Sequence, residues 1–140
     1  MQTAFRYPLG FVGLLALAAC VMPGVRPAEA LPSGAQDYAD YCAACHGAGG
    51  KGDGAAAAGL TQQPADLTQL AAGNGGVFPG TRVMAQIWGY TGGRDGERVM
   101  PKFAALLESE VVPYDGGDGI ATPTPLRLVQ LAEYVKALQD

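Results

Sequence analysis

Residues 41–54 read YCAACHGAGGKGDG: two cysteines separated by two alanines, the only histidine of the chain directly after them, then a run of glycines. Paired thiols at this spacing serve several chemistries. A structural zinc site needs about four protein ligands. Cys42, Cys45 and His46 offer three, and the sequence has no second Cys or His cluster. A thioredoxin-like dithiol lies between a strand and a helix. The residues ahead of Cys42, SGAQDYADY, are helical in character and lack a β-branched run. Both readings are weak.

The third reading is covalent attachment of haem. The thiols of Cys42 and Cys45 add to the two vinyl groups as thioethers, and His46 becomes the proximal ligand of the iron. One helical turn presents both sulfurs along one haem edge. The histidine next in sequence brings its imidazole over the metal, and Ala43 and Ala44 let the porphyrin lie close to the backbone. The following glycines are not a phosphate loop, because no strand precedes them and no Gly-Lys-Ser/Thr ends them. They let the chain turn tightly around the haem edge. One such motif implies one covalent haem c.

The composition fits a domain built around a cofactor. A chain of 140 residues makes one modest domain. Its 21 glycines and 10 prolines mark a loop-rich body that needs an internal staple. A Cys42–Cys45 bridge would close a very small loop and stabilise little, whereas a covalently held haem supplies the staple. With 9 Lys+Arg against 13 Asp+Glu, the chain carries no electrostatic footprint for nucleic acid.

Residues 1–30 read as a leader and 31–140 as the folded domain. Arg6 precedes the apolar run LGFVGLLALAACVM, residues 9–22, which is too short to span a bilayer comfortably. A basic start and a short apolar segment form a secretory signal, so the expected compartment is the periplasm. Two processing sites compete. LAAC, ending at Cys20, resembles a bacterial lipobox and would leave an acylated cysteine as membrane anchor. AEA, ending at Ala30, resembles an ordinary signal-peptidase site and would remove Cys20. The bland reading of Cys20 is a small apolar residue of the leader.

His46 is the only histidine, so the second axial ligand falls to a methionine. Met1 and Met22 belong to the leader. Met84 lies in RVMAQIWGY, where Val83 and Ile87 are spaced as on one helix face, so packing, or a place on the surface of that helix, is its expected role. Met100 follows the glycine-rich YTGGRDGERV and directly precedes Pro101, which turns it away from helical geometry. Met100 is the expected iron ligand and Met84 the runner-up. His/Met ligation raises the reduction potential and fills both axial positions, which suits electron transfer and excludes substrate chemistry at the iron.

Taken together, Gly34 and Tyr38, CAACHG (42–47), GKGDG (50–54), PADL (64–67), VMPKF (99–103) and LVQLAEYVKAL (128–138) resemble the class I c-type cytochromes. The resemblance covers about residues 33–139. It implies an all-α cytochrome c fold in which an N-terminal helix crosses a C-terminal one, Gly34 giving the close approach. It implies that the Pro64 carbonyl accepts a hydrogen bond from His46, and that Leu67 and Phe103 pack on the haem. PADL is one residue longer than the family's Pro-x-Leu. Trp88 and Tyr90 carry polar handles that could reach a haem propionate; packed core is the equal alternative for Trp88. Leu128, Leu131, Tyr134, Val135 and Leu138 form one apolar stripe, with Thr124-Pro125 as cap and first-turn residue.

The stretch VVPYDGGDGIATPTP, residues 111–125, reads as an exposed loop lacking the full calcium pattern. Arg82, Arg94, Arg98 and Lys102 gather around Met100, where a basic rim would steer docking to an acidic redox partner; scattered solubilising charges are the alternative. The expectation is a periplasmic one-electron carrier in a respiratory or dehydrogenase-linked chain. Alternatives are the haem subunit of a larger oxidoreductase complex, a ligand-binding haem sensor or peroxidase, and a haem-free thiol oxidoreductase.

Overall fold

A computed structural model describes residues 30–91 and 100–140. Cys20, Arg94 and Arg98 lie outside them. Helix α1 (Gly34–Tyr41) begins at a capping box. The Ser33 hydroxyl accepts the Gln36 N–H, and the Gln36 carboxamide accepts the Ser33 N–H at 2.7 Å, so two of the orphan donors of the first turn are satisfied. After a break at Cys42 the chain makes a single further turn, α2 (Ala43–His46), which carries the motif. The last helix, α4 (Leu126–Ala137), packs across α1. At Gly34 the two backbones approach so closely that a Cβ would land on the Gln130 carbonyl. This is the close approach expected of Gly34.

Leu128, Leu131 and Val135 of the α4 stripe are buried, with Tyr134 and Leu138 packed beside them. Each fully buried Leu or Val stabilises by about 1.5–3 kcal/mol. Tyr38 lies in the same core, its ring 5.1 Å from that of Tyr134 and its hydroxyl donating to the Gly47 carbonyl at 2.7 Å. A charged pair sits beneath this crossing. Asp37 is 0% exposed and takes two hydrogen bonds from the Arg127 guanidinium, the one from Nε at 3.1 Å. Arg127 also donates to the Leu106 carbonyl. This link ties α1, α4 and the turn Ala104–Leu106 together.

Helix α3 (Gly80–Trp88) is closed by Gly89, whose φ of 104° is left-handed and suits glycine. Its buried residues include Met84 and Ile87.

Residues 111–125 are not a loop, and the fold is helical without being all-α. They form an antiparallel hairpin of β1 (Val111–Asp115) and β2 (Ala121–Pro125). Pro113 faces Pro123, and Val111 faces Pro125. All three prolines therefore fall in alternate pairs, which leaves Val112–Thr124 and Tyr114–Thr122 to carry the ladder without a lost donor. At the turn, Asp115 Oδ1 accepts the N–H groups of Gly117, Asp118 and Gly119 at 2.8–3.1 Å. The hairpin end rests on α3, where the Thr81 N–H donates to the Gly116 carbonyl at 3.1 Å.

The start of α4 also differs from expectation. Its N-cap is Pro125, and the Thr124 hydroxyl donates to the Thr122 carbonyl inside the hairpin. The first helical N–H groups are met from residues distant in sequence: Leu126 donates to the Glu110 carbonyl at 2.9 Å and Arg127 to the Ser109 hydroxyl at 3.0 Å. Because the helix grows directly out of a strand, the cap comes from the chain alongside.

Candidate haem site

One wall of the site is built from backbone. The first turn of the motif closes with the His46 N–H on the Cys42 carbonyl and the Gly47 N–H on the Ala43 carbonyl, each at 2.9 Å. The chain then folds back over this turn. Gly52 donates to the His46 carbonyl at 2.8 Å, Gly54 to that of Cys45 at 3.1 Å, and Ala56 to that of Ala44 at 2.9 Å. A Cβ on Gly52 would strike the Pro64 carbonyl and one on Gly54 the Ala44 carbonyl, so the glycine run is what permits the wrap.

His46 Nδ1 lies 3.0 Å from the Ala65 carbonyl oxygen. A carbonyl can only accept, so Nδ1 carries the proton and Nε2 keeps its lone pair for a metal. This bond was expected from Pro64. The extra residue in PADL shifts the role to Ala65, while the Pro64 carbonyl is turned against Gly52. Pro64 itself still lines the cleft.

The opposite wall is α3 and the segment from Met100 to Phe103. The Phe103 N–H donates to the Ile87 carbonyl at 3.1 Å, the Lys102 side chain lies over Gly89, and Gln86 Nε2 donates to Met100 Sδ at 3.8 Å.

Between the walls lies a cavity of about 720 Å³, within the size range of cofactor pockets. Cys42, Cys45 and His46 line it from one side and Met100 and Phe103 from the other; Leu67, Leu70, Val83, Ile87 and Val135 complete an apolar lining. The two thiols are not bonded to each other. Met84 is buried in the core and is not among the lining residues. Trp88 packs against the core and is likewise absent from the lining, and Tyr90 is 81% exposed. The cavity is lined instead by Arg82, Gln62 and Gln63 as polar groups that an anionic propionate could meet. The reason is helical geometry: Val83, Gln86 and Ile87 face the cleft, and Trp88 falls one position past that face.

The chain matches the family model described as Cytochrome c over residues 32–110. It belongs to the cytochrome c family. No curated protein and no solved structure matches it. The match ends at the foot of the hairpin, so β1, β2 and α4 lie beyond it. Members of this family carry covalently bound haem c, and the single Cys-x-x-Cys-His of this cytochrome provides for one.

The residues present fit that group. Two thiols and an imidazole with a free Nε2 meet on one side of an apolar cleft that opens to a thioether on the other. The competing readings fare worse. Burial, reinforced by nearby Asp37 and Cys45, pushes the Cys42 thiol up to about 12, whereas a redox dithiol needs a lowered one. Among the described residues no three of Cys, His, Asp and Glu cluster as a metal site.

Sequence reasoning missed the Asp37–Arg127 pair, Ala65 and Gln86. Only the extra residue in PADL signalled any of them.

Proposed function

We propose that this cytochrome is a one-electron carrier whose haem is bound through Cys42 and Cys45 and ligated by His46 and Met100. When bound, the haem supplies an iron that accepts and returns one electron. The chain's own residues do the rest. Ala65 fixes the tautomer and orientation of His46, a contact that tunes a metal ligand, and the apolar lining keeps water from the ring. Soft sulfur opposite imidazole favours the reduced state. The observation that carries this reading is the placement of His46 and Met100 on facing walls of one cleft, with Met84 packed elsewhere.

The same reading places the protein in the periplasm, exported by its leader. It docks an acidic redox partner through a rim that includes Arg82 at the cleft and Lys102 beside it. Lipid anchoring through Cys20 is distinguished from cleavage after Ala30 by the mass of the mature N-terminus.

The deciding experiment is the absorption spectrum of the oxidised holoprotein. A weak long-wavelength band from iron–thioether bonding is expected, and Met100→Ala should abolish it, lower the potential and leave the haem covalently attached. Prompt carbon monoxide binding by the reduced native protein would overturn the assignment in favour of a ligand-binding haem protein.

A further inference from the structure

The Ala65 carbonyl that meets His46 belongs to a segment fastened from far along the chain. Asp66 caps the single turn Leu67–Gln69 that follows it, Oδ1 accepting the Thr68 N–H at 2.9 Å. Gln139, two residues beyond α4, straddles that turn. Its Nε2 donates to the Leu67 carbonyl at 2.7 Å and to the Val135 carbonyl at 2.9 Å, and its Oε1 accepts the Ala71 N–H at 2.8 Å. Both amide hydrogens and the oxygen are thus engaged. A flipped carboxamide would set its oxygen against two carbonyls and its NH2 against an N–H. Asp140 adds to the hold: its N–H donates to the Thr68 carbonyl at 3.2 Å, and its Oδ2 accepts Gln69 Nε2 at 2.7 Å. Leu67 and Leu70 of the same segment line the cleft beside Ala65.

We propose that Gln139 is a positioning residue for the axial histidine: by pinning both ends of the turn Leu67–Gln69, it keeps the Ala65 carbonyl on His46 Nδ1. This rests on His46 being the iron ligand. The Leu67 N–H, on the Gly50 carbonyl at 2.6 Å, fixes one point of the segment. A second point is needed to fix its rotation, and Gln139 supplies it from α4, the helix that packs across α1. A carbonyl held on the Nδ1 proton makes Nε2 more basic. A more basic Nε2 gives more density to the metal, and the ferric state, poorer in electrons, gains more from this than the ferrous state. The clamp therefore holds the potential down. It also couples the end of α4 to the imidazole, seventy-four positions from Gln139 to Ala65 along the chain.

The test uses the full-length ferrous holoprotein and follows, by NMR, exchange of the His46 Nδ1 proton with deuterated water. The Phe103 N–H, on the opposite wall, is the internal reference, because a general loosening of the fold speeds both. Gln139→Met keeps the side chain's reach without its polar atoms. It should speed Nδ1 exchange relative to Phe103 by about tenfold, the scale of local opening when a few tertiary hydrogen bonds are lost, and potentiometric titration should show a raised potential. Asp140→Ala should move both readings the same way and less. A wild-type protein whose His46 ring protons lack the large upfield shift that a haem ring current gives an axial imidazole overturns the ligation and this proposal with it. With that shift present, a Gln139→Met variant whose Nδ1 exchange keeps pace with Phe103 overturns this proposal alone. A fall in the potential overturns it as well, since water let in past the wall would then outweigh any change at the imidazole. If Gln139→Met does not take up haem, Asp140→Ala decides, and its matching the wild type in both readings is the overturning result.

Discussion

On the His46 wall the chain is tied by its own backbone. Gly52, Gly54 and Ala56 donate to successive carbonyls of the motif turn, and Leu67 donates to the Gly50 carbonyl at 2.6 Å. On the Met100 wall the ties include one backbone bond, Phe103 to Ile87, and the side-chain contact of Gln86 with sulfur. Backbone bonds survive most side-chain changes, whereas a weak bond to a thioether does not. The difference separates two tasks. On the proposed assignment one wall would carry the covalent attachment and a fixed imidazole. The other would supply a ligand whose grip can be tuned, and an outside ligand would enter there. Local opening follows the less strongly tied element.

The largest break in this contrast is removal of the covalent chemistry. Cys42→Ala/Cys45→Ala should leave no haem on the chain after denaturing electrophoresis, and most of the helical circular dichroism should go with it, because the walls then close on nothing. Met100→Ala keeps its haem through the same gel. If the double variant retained covalent haem, or folded as well without it, the division between the walls would be wrong.

A smaller break lies under the His46 wall. Arg127→Ala strands a fully buried Asp37 carboxylate. Breaking a buried pair from one side costs about 3–5 kcal/mol. The lower end, about 3 kcal/mol, applies here, because the Arg127 side chain keeps 13% of its exposure. Urea unfolding of the holoprotein measures it, with little change expected in potential. Asp37→Leu/Arg127→Leu should cost less than Arg127→Ala, since no charge is left without a partner.

How far these walls could be read from the sequence depended on how local their causes are. CAACH and the glycines after it make the motif turn and its wrap legible, because each residue acts within a few positions of itself. Gly34 and the α4 stripe are legible for a similar reason, as helical spacing exposes the packing face. Pro101 marks Met100 as a residue off the helix, and Met100 does line the cleft. The Asp37–Arg127 pair has no such mark, since its partners lie ninety positions apart and either alone looks like surface charge. Trp88 misled because a polar handle says nothing of which way a helix turns it. The hairpin was hidden by its own prolines. They argue against a strand until the register shows that all three avoid the donor positions.

That hairpin links α3 to α4, and it gives the smallest test. Its end lies on α3, where a Cβ on Gly116 would sit 2.8 Å from Met84 Cε. Its Tyr114 hydroxyl donates to Glu133 of α4. The bond holds the Glu133 carboxyl below its ordinary value of 4.5, with Lys136 assisting and partial burial opposing. Burial first, then Glu133, pushes the Tyr114 hydroxyl from 10.0 up to about 12. The signs follow from linkage. Glu133 ionises more readily in the folded state, so its contribution is present above pH 4.5 and is lost as pH falls through the lowered value. Tyr114 holds its proton more tightly when folded, so its contribution is present below pH 10.0 and is lost as pH rises through about 12. Tyr114→Phe should therefore cost less than about 1 kcal/mol at neutral pH, since the Glu133 side chain is 44% exposed. The gap from wild type should narrow in acid below Glu133's ordinary value and in base above Tyr114's. Urea midpoints taken across this range check it, and a gap as wide in acid as at neutrality would show that the ring, not the hydroxyl, holds the hairpin. The variant should also admit imidazole slightly more easily at the Met100 wall while the thioethers at Cys42 and Cys45 stay intact, because the hairpin braces α3 and the histidine turn is held by backbone bonds of its own.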